Sequence, residues 1–374
     1  MIRFNNKINN LFFSNDIRKD HSKALDGLRG LAVLIVLLAH SSNTDLFFHE
    51  LLNFKKAGKI GVYLFFVLSA YLLDKQIIEA YQNKKTSYFF WKNYILRRFL
   101  RIYPLFFISL LIYLTLEYSG IINNEWTLKR VLAHLILKEG WHFYWSISVE
   151  FKYYILSPIL LMIIHKYFKW NIKYTISFIS IITFASILLT IKLGISYLSI
   201  VRYLPIFLTG TAIAIFEVKR PDEFSRTINN KEFKYAGILA LALILLSIPY
   251  YFKFITGQTI DNRLAYYYLP YAILFGIILY SAKRNTGIIR NILEVKMLRF
   301  LGIISFSLYI FHMLILRIIT KLNTPESYKI YIFFILAIII SSISYIFIEK
   351  PLSKIKIIKR MPLNVYKCAN NNDI

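Results

Sequence analysis

Apolar runs of about twenty residues alternate along the chain with short polar connections rich in lysine and arginine. A hydrocarbon core roughly 30 Å thick takes about 20 helical residues to cross, so each run predicts a transmembrane helix. Ten are counted, over 24–42, 59–79, 103–122, 147–166, 174–193, 197–218, 235–252, 263–282, 297–320 and 327–349. The fourth is the weakest, because Glu150, Lys152 and Pro158 interrupt it. Asn5, Asn6, Asn9, Asn10 and Asp16 break up the first 23 residues, which predicts a polar tail rather than a signal peptide. The expected fold is all-α: a polytopic bundle with a tail over 1–23, a single membrane domain over 24–350 and a basic tail over 351–374. No linker rich in Pro, Gly or Ser divides it, and no repeat of 20–50 residues is visible.

Composition supports the membrane reading. The chain is 57% hydrophobic and only 18% charged, against roughly 25% charged in soluble domains. A net charge of +26 would ordinarily suggest nucleic acid, but its placement gives another explanation. With the N-terminus inside, 31 lysines and arginines fall in cytoplasmic segments against 12 outside. That excess sets orientation, puts both termini in the cytoplasm, leaves no need for a nucleic-acid partner, and favours contact with anionic lipid. One cysteine, Cys368, excludes a disulfide framework and a cysteine zinc site. No two histidines have metal-ligand spacing, so no metal is expected.

In a bilayer the informative side chains are ionisable ones within spans, since each costs a few kcal/mol to place there. Arg29, His40, Glu150, Lys152, Arg202 and His312 qualify, with Asp74 and Glu349 near inner ends. Arg29 and His40 lie eleven residues apart on one predicted helix. Eleven steps of 100° end about 20° past three full turns, so both share a face, about 16 Å apart along the axis. Arginine offers a permanent cation with a fork suited to phosphate, and histidine is the usual proton acceptor near neutral pH. A cation at one end and a base at the other suit a long substrate with phosphate at its head and a reactive tail. The plainer alternative has Arg29 reaching to the inner surface and His40 serving only helix packing.

Arg97, Arg98 and Arg101 form a basic run just before the third span and can present one cationic patch. Tyr103-Pro104 would then open that span, since proline is tolerated in a first turn. Glu150 is at a depth comparable with His40 and could orient its imidazole, as a triad carboxylate does. Arg202 and Lys152 are other partners for that carboxylate. Ser305, Tyr309 and His312 make a polar stripe at i, i+4 and i+7, either a hydrogen-bond seam or part of an acceptor site.

These segments together resemble the membrane-bound acyltransferase 3 family. The resemblance runs in order through LDGLRGLAVLIVLLAH (25–40), GVYLFFVLSAYLL (61–73), RRFLRIYPLF (97–106), YWSISVEFKYYILSP (144–158), LGIISFSLYIFH (301–312) and YIFIEKPLS (345–353). It implies transfer of an acyl group, most often acetyl from acetyl-CoA, to a hydroxyl of an extracytoplasmic glycan or glycolipid at the bacterial cytoplasmic membrane. It implies His40 as the essential histidine and Arg29 as its basic partner; Glu150, placed by its depth alone, is expected to orient His40. Arg29, Arg97, Arg98 and Arg101 would bind the donor, while Arg202, Tyr309 and His312 face the acceptor. No cofactor is expected beyond acyl-CoA as a substrate; homo-oligomerisation is left open. Tyr63, Ala70, Phe151 and Lys152 depart from the family pattern. The hydrolase-like domain frequent in the family is not seen, so transfer is expected unaided or to a separate partner. A transporter or flippase for a glycan precursor is the alternative, because buried charges also mark substrate paths. A non-catalytic scaffold is a third.

Overall fold

A computed structural model describes residues 11–13, 22–122, 125–230, 233–259, 268–284 and 286–355. Most of the two predicted tails, the start of the span at 263–282, and Cys368 lie outside the described residues. All regular structure among the described residues is helical. In chain order the helices are α1 (Lys23–Asn43), α2 (Gly58–Gln82), α3 (Tyr88–Tyr118), α4 (Leu128–Leu135), α5 (Trp145–Ile163), α6 (Ile172–Leu193), α7 (Leu204–Lys219) and α8 (Pro221–Asn229). There follow α9 (Phe233–Leu246), α10 (Pro249–Thr256), α11 (Tyr268–Ala282), α12 (Ile288–Leu293), α13 (Lys296–Ile303), α14 (Ser305–Thr320), α15 (Glu326–Ser344) and α16 (Lys350–Ser353).

Seven helical stretches among the described residues are long and apolar enough to cross a membrane, or nine if each of two bent pairs is one span. The chain is thus a multi-pass membrane protein. α1 and α2 form the centre: 78% and 72% of their apolar windows are buried by protein, against 11% for α6 and 28% for α15. Without a hydrophobic drive between helices in lipid, close packing must hold the centre together, and glycine permits it. A Cβ on Gly30 would lie 1.8 Å from the Leu298 carbonyl oxygen, and one on Gly302 1.8 Å from that of Asp26. α1 and α13 therefore cross backbone to backbone. α2 packs on α7 in the same way, where Gly210 faces the Val67 carbonyl and Ala70.

The structure changes three of the predicted spans. The third is one helix over Tyr88–Tyr118, so the basic run sits inside it and Pro104 is interior rather than in a first turn. Its 31 residues measure about 46 Å, more than a bilayer core requires. The basic end can thus stand in the aqueous layer while the rest crosses. The span at 235–252 is broken: its two helices meet at 91°, with Pro249 opening α10, where its missing N–H costs nothing. The span at 297–320 is likewise bent by 78° between α13 and α14. That bend lays the glycine-bearing α13 on α1 and aims α14 along it.

Candidate active site

Arg29 projects from α1 into a cavity of about 350 Å³ that Arg97, Arg98 and Arg101 also line. α1 and α3 deliver these four guanidinium groups, while Asp26 and Glu349 supply the carboxylates on its wall. Arg29 Nη1 is 3.8 Å from Asp26 Oδ1, too long for a strong paired fork. Arg98 donates to Gln76 Oε1 at 3.0 Å and lies 5.8 and 5.6 Å from the ring centres of Tyr94 and Tyr154. Those two rings and the Gln76 amide fix its direction. Arg98 Nε is buried with no hydrogen-bond partner among the described residues. The Glu349 carboxylate accepts from Ser307 Oγ. Phe12, Phe13, Phe306 and Tyr345 complete an aromatic border. Four cations against two carboxylates, edged by aromatic rings, suit an anionic group attached to a flat heterocycle.

His40 belongs to a second layer. It sits in the last turns of α1, half-buried, and does not line the arginine cavity. A Cβ on Gly58 would stand 3.3 Å from His40 Nε2, so the start of α2 lies close against the imidazole and a larger residue there would press on it. On the other side is His312, with ring centres 5.1 Å apart. The polar stripe of α14 joins the two layers: Ser305 lines the cavity and His312 meets His40. Between them Tyr309 donates to the Phe143 carbonyl at 2.7 Å and shares a 2.6 Å hydrogen bond with Ser146.

The remaining sequence candidates are placed elsewhere. Glu150 accepts from Ser69 and from Tyr154 at 2.6 Å; no hydrogen bond joins it to His40 among the described residues. Its charge acts on Arg98 and Arg101, so it stands between the layers rather than beside the histidine. Arg202 donates to the Tyr268 hydroxyl and, at 3.3 Å, to the Ile195 carbonyl. Lys152 Nζ donates to the Leu198 carbonyl at 2.8 Å, facing away from Glu150. Tyr63 is buried among Tyr203, Tyr268 and Tyr271, and Phe151 packs edge-on to Tyr103. Sequence reading missed the roles of Ser146, Gly58 and the Phe12-Phe13 edge. A glycine just after an outer loop was the available signal for Gly58; nothing local marked the other two. Asp74, noted only as an inner-end charge, is fully buried and accepts from Tyr153 and Thr211 at 2.6 Å and from Ser157, tying α2 to α5 and α7.

Comparison with known proteins adds the following. Residues 22–349 match the family model of an acyltransferase domain, acyltransferase 3. The chain is 25% identical over 362 residues to O-acetyltransferase OatA of Staphylococcus aureus (strain NCTC 8325 / PS 47), covering 88% of this chain and 57% of that protein. It is 25% identical over 367 residues to the putative peptidoglycan O-acetyltransferase YrhL of Bacillus subtilis (strain 168), covering 88% and 54%. Peptidoglycan O-acetyltransferase OatA of Listeria monocytogenes serovar 1/2a is 23% identical over 370 residues, covering 88% and 56%. The chain therefore spans a little over half the length of these relatives. No solved structure matches it significantly.

Proposed function

The chain belongs to the acyltransferase 3 family, and from that premise we propose that it is a membrane O-acetyltransferase taking acetyl from acetyl-CoA to a hydroxyl of a cell-wall glycan. Relatives named for peptidoglycan favour that polymer as acceptor. The observation that carries the reading is the single cavity holding Arg29, Arg97, Arg98 and Arg101, one polar stripe away from His40. The donor's phosphates dock on the guanidinium groups from the cytoplasm, and its adenine lies along the aromatic border. The pantetheine arm follows the Ser305–Tyr309–His312 stripe, and the thioester arrives at His40, about 16 Å along the axis from Arg29.

His40 removes the proton from the acceptor hydroxyl as its oxygen attacks the thioester carbonyl. The thiolate leaves, and the donor returns to the cytoplasm as CoA. Glu150 supports this indirectly, holding Ser69 and Tyr154 and balancing the charge of Arg98 and Arg101. Arg202 lies toward the outer side, where the glycan would enter, while Tyr309 and His312 are buried beneath it. Proteoliposomes containing the full chain, labelled acetyl-CoA and muropeptide test the scheme. Wild type should yield ester-linked label on the glycan, and His40→Ala should lose at least about 100-fold of it, the scale of a general base, while inserting normally. Label transferred equally by His40→Ala would remove the base. Movement of unmodified glycan across the bilayer without transfer would favour a transporter instead.

A further inference from the structure

The ring in contact with His40 is another histidine, not the carboxylate that spacing suggests. His312 is fully buried, and its Nδ1 lies 2.7 Å from the Tyr309 carbonyl oxygen. A carbonyl only accepts, so Nδ1 carries the hydrogen, and the neutral ring keeps a bare lone pair on Nε2. That Nε2 has no hydrogen-bond partner among the described residues. Buried acceptors are seldom left so, and each such orphan requires an explanation. The Phe143 ring closes one side of His312 at 5.3 Å. The imidazole of His40 stands on another at 5.1 Å, tilted by 50°.

We infer that His312 is the positioning and proton-relay partner of His40. The inference rests on the O-acetyltransferase reading and deepens it. Backbone geometry fixes the tautomer of His312, so its unpartnered Nε2 is free to accept from His40 once the two rings, 5.1 Å apart between centres, close to hydrogen-bond distance. When His40 takes the hydroxyl proton, the new O–C bond forms and the C–S bond breaks. The imidazolium N–H of His40 then donates to Nε2 of His312, which holds or accepts that proton. The proton returns through His40 to the departing thiolate, so both rings end neutral. This is the part a carboxylate plays in a Ser-His-Asp triad, here filled by a neutral acceptor that needs no buried negative charge. Four other titratable or charged side chains surround the pair. Tyr309 lies on the same helix, and Glu150 acts on Tyr309 from α5. His142 and Arg317, hydrogen-bonded at 3.1 Å, lie toward the outer end.

His312→Asn keeps an N–H for the Tyr309 carbonyl but has no acceptor where Nε2 stood. In proteoliposomes of the full chain this variant should lower kcat about 100-fold, within the range of acid–base partners, with the KM for acetyl-CoA within about twofold. The acid limb of its pH–rate profile should also move, because one imidazole would then titrate where two were coupled. His312→Gln, whose longer amide can place an oxygen near the Nε2 position, should recover about tenfold over His312→Asn and carries the test should the shorter variant fail to fold. A wild-type kcat and pH profile in either variant overturns the inference. If His40→Ala is inactive while His312→Asn is fully active, this inference alone falls. If His40→Ala is active too, the parent reading falls with it.

Discussion

Arg29 and Glu150 show what a helical ruler can and cannot tell. Eleven residues fix both the height and the direction of His40 relative to Arg29, because the two share one helix and 3.6 residues make a turn. Glu150 shares only a depth with His40; its direction depends on how α5 packs, and packing turns it to Ser69 and Tyr154. The arginine cluster was legible for a different reason: Arg97, Arg98 and Arg101 fall within five residues of one helix, so spacing alone brings them together as one cationic patch. Within the cavity the four arginines are not equivalent. Arg29 lies deep on α1, weakly matched by Asp26 at 3.8 Å, whereas Arg97 is exposed. Arg29→Ala should raise the KM for acetyl-CoA about tenfold or more, since a charge-assisted hydrogen bond is worth roughly 1.5–3 kcal/mol. Acetyl-pantetheine, which lacks the nucleotide phosphates, should be used as before. Initial-rate kinetics with both donors checks this, and an equal rise for the two would move Arg29 away from the phosphates.

At the scale of elements, hydropathy located all the long helices but not their bends. An apolar run reads the same whether straight or broken, so Pro249 was the one visible hint for the α9–α10 break. The α13–α14 bend accompanies a long-range contact, Gly302 on the Asp26 backbone, that no local pattern carries. The segment around α4 was read only as a loop, yet it is pinned by a buried side chain outside the spans. His134 Nδ1 bonds the Arg130 carbonyl at 2.7 Å, and its Nε2 accepts from the Trp141 N–H at 2.9 Å. Only the neutral ring can do both. Burial pushes the pKa of His134 down, the Arg130 charge adds to that, and the Arg130 carbonyl and Glu139 partly oppose it. With the folded value below the ordinary one, the contribution of His134 is complete above about pH 6.5 and is lost as pH falls through the folded value. Hydrogen exchange of the Trp141 amide, corrected for intrinsic rate, should therefore lose protection as the pH is lowered from about 6.5 through the depressed folded value. Constant protection over that interval would show that the segment is held by other contacts, such as Arg130 stacked 3.5 Å over Trp141.

For the whole molecule, the decisive quantity is which side of the membrane the arginine cavity faces. Its walls are built from the ends of α1, α3 and α13 and from the turn before α16, ends that adjoin segments expected to be cytoplasmic from the basic excess of 31 to 12. Acyl-CoA is a cytoplasmic, highly charged donor, so the scheme works only if that end is inside, as the basic excess requires. The layer of His40 and His312 then faces outward, where a cell-wall hydroxyl can approach, and the electrostatics of donor capture and of topology become one feature. Cys368 is the single cysteine of the chain and falls in the segment predicted to be cytoplasmic, so it serves as a natural reporter. A membrane-impermeant maleimide added to intact cells should leave Cys368 unlabelled and should react after permeabilisation. In a Cys368→Ser background, Ser196→Cys, in the exposed turn after α6, should show the opposite pattern and label in intact cells. Labelling of Cys368 from outside would invert the bundle, set the arginines against a compartment without acyl-CoA, and leave the two histidines with no donor to act on.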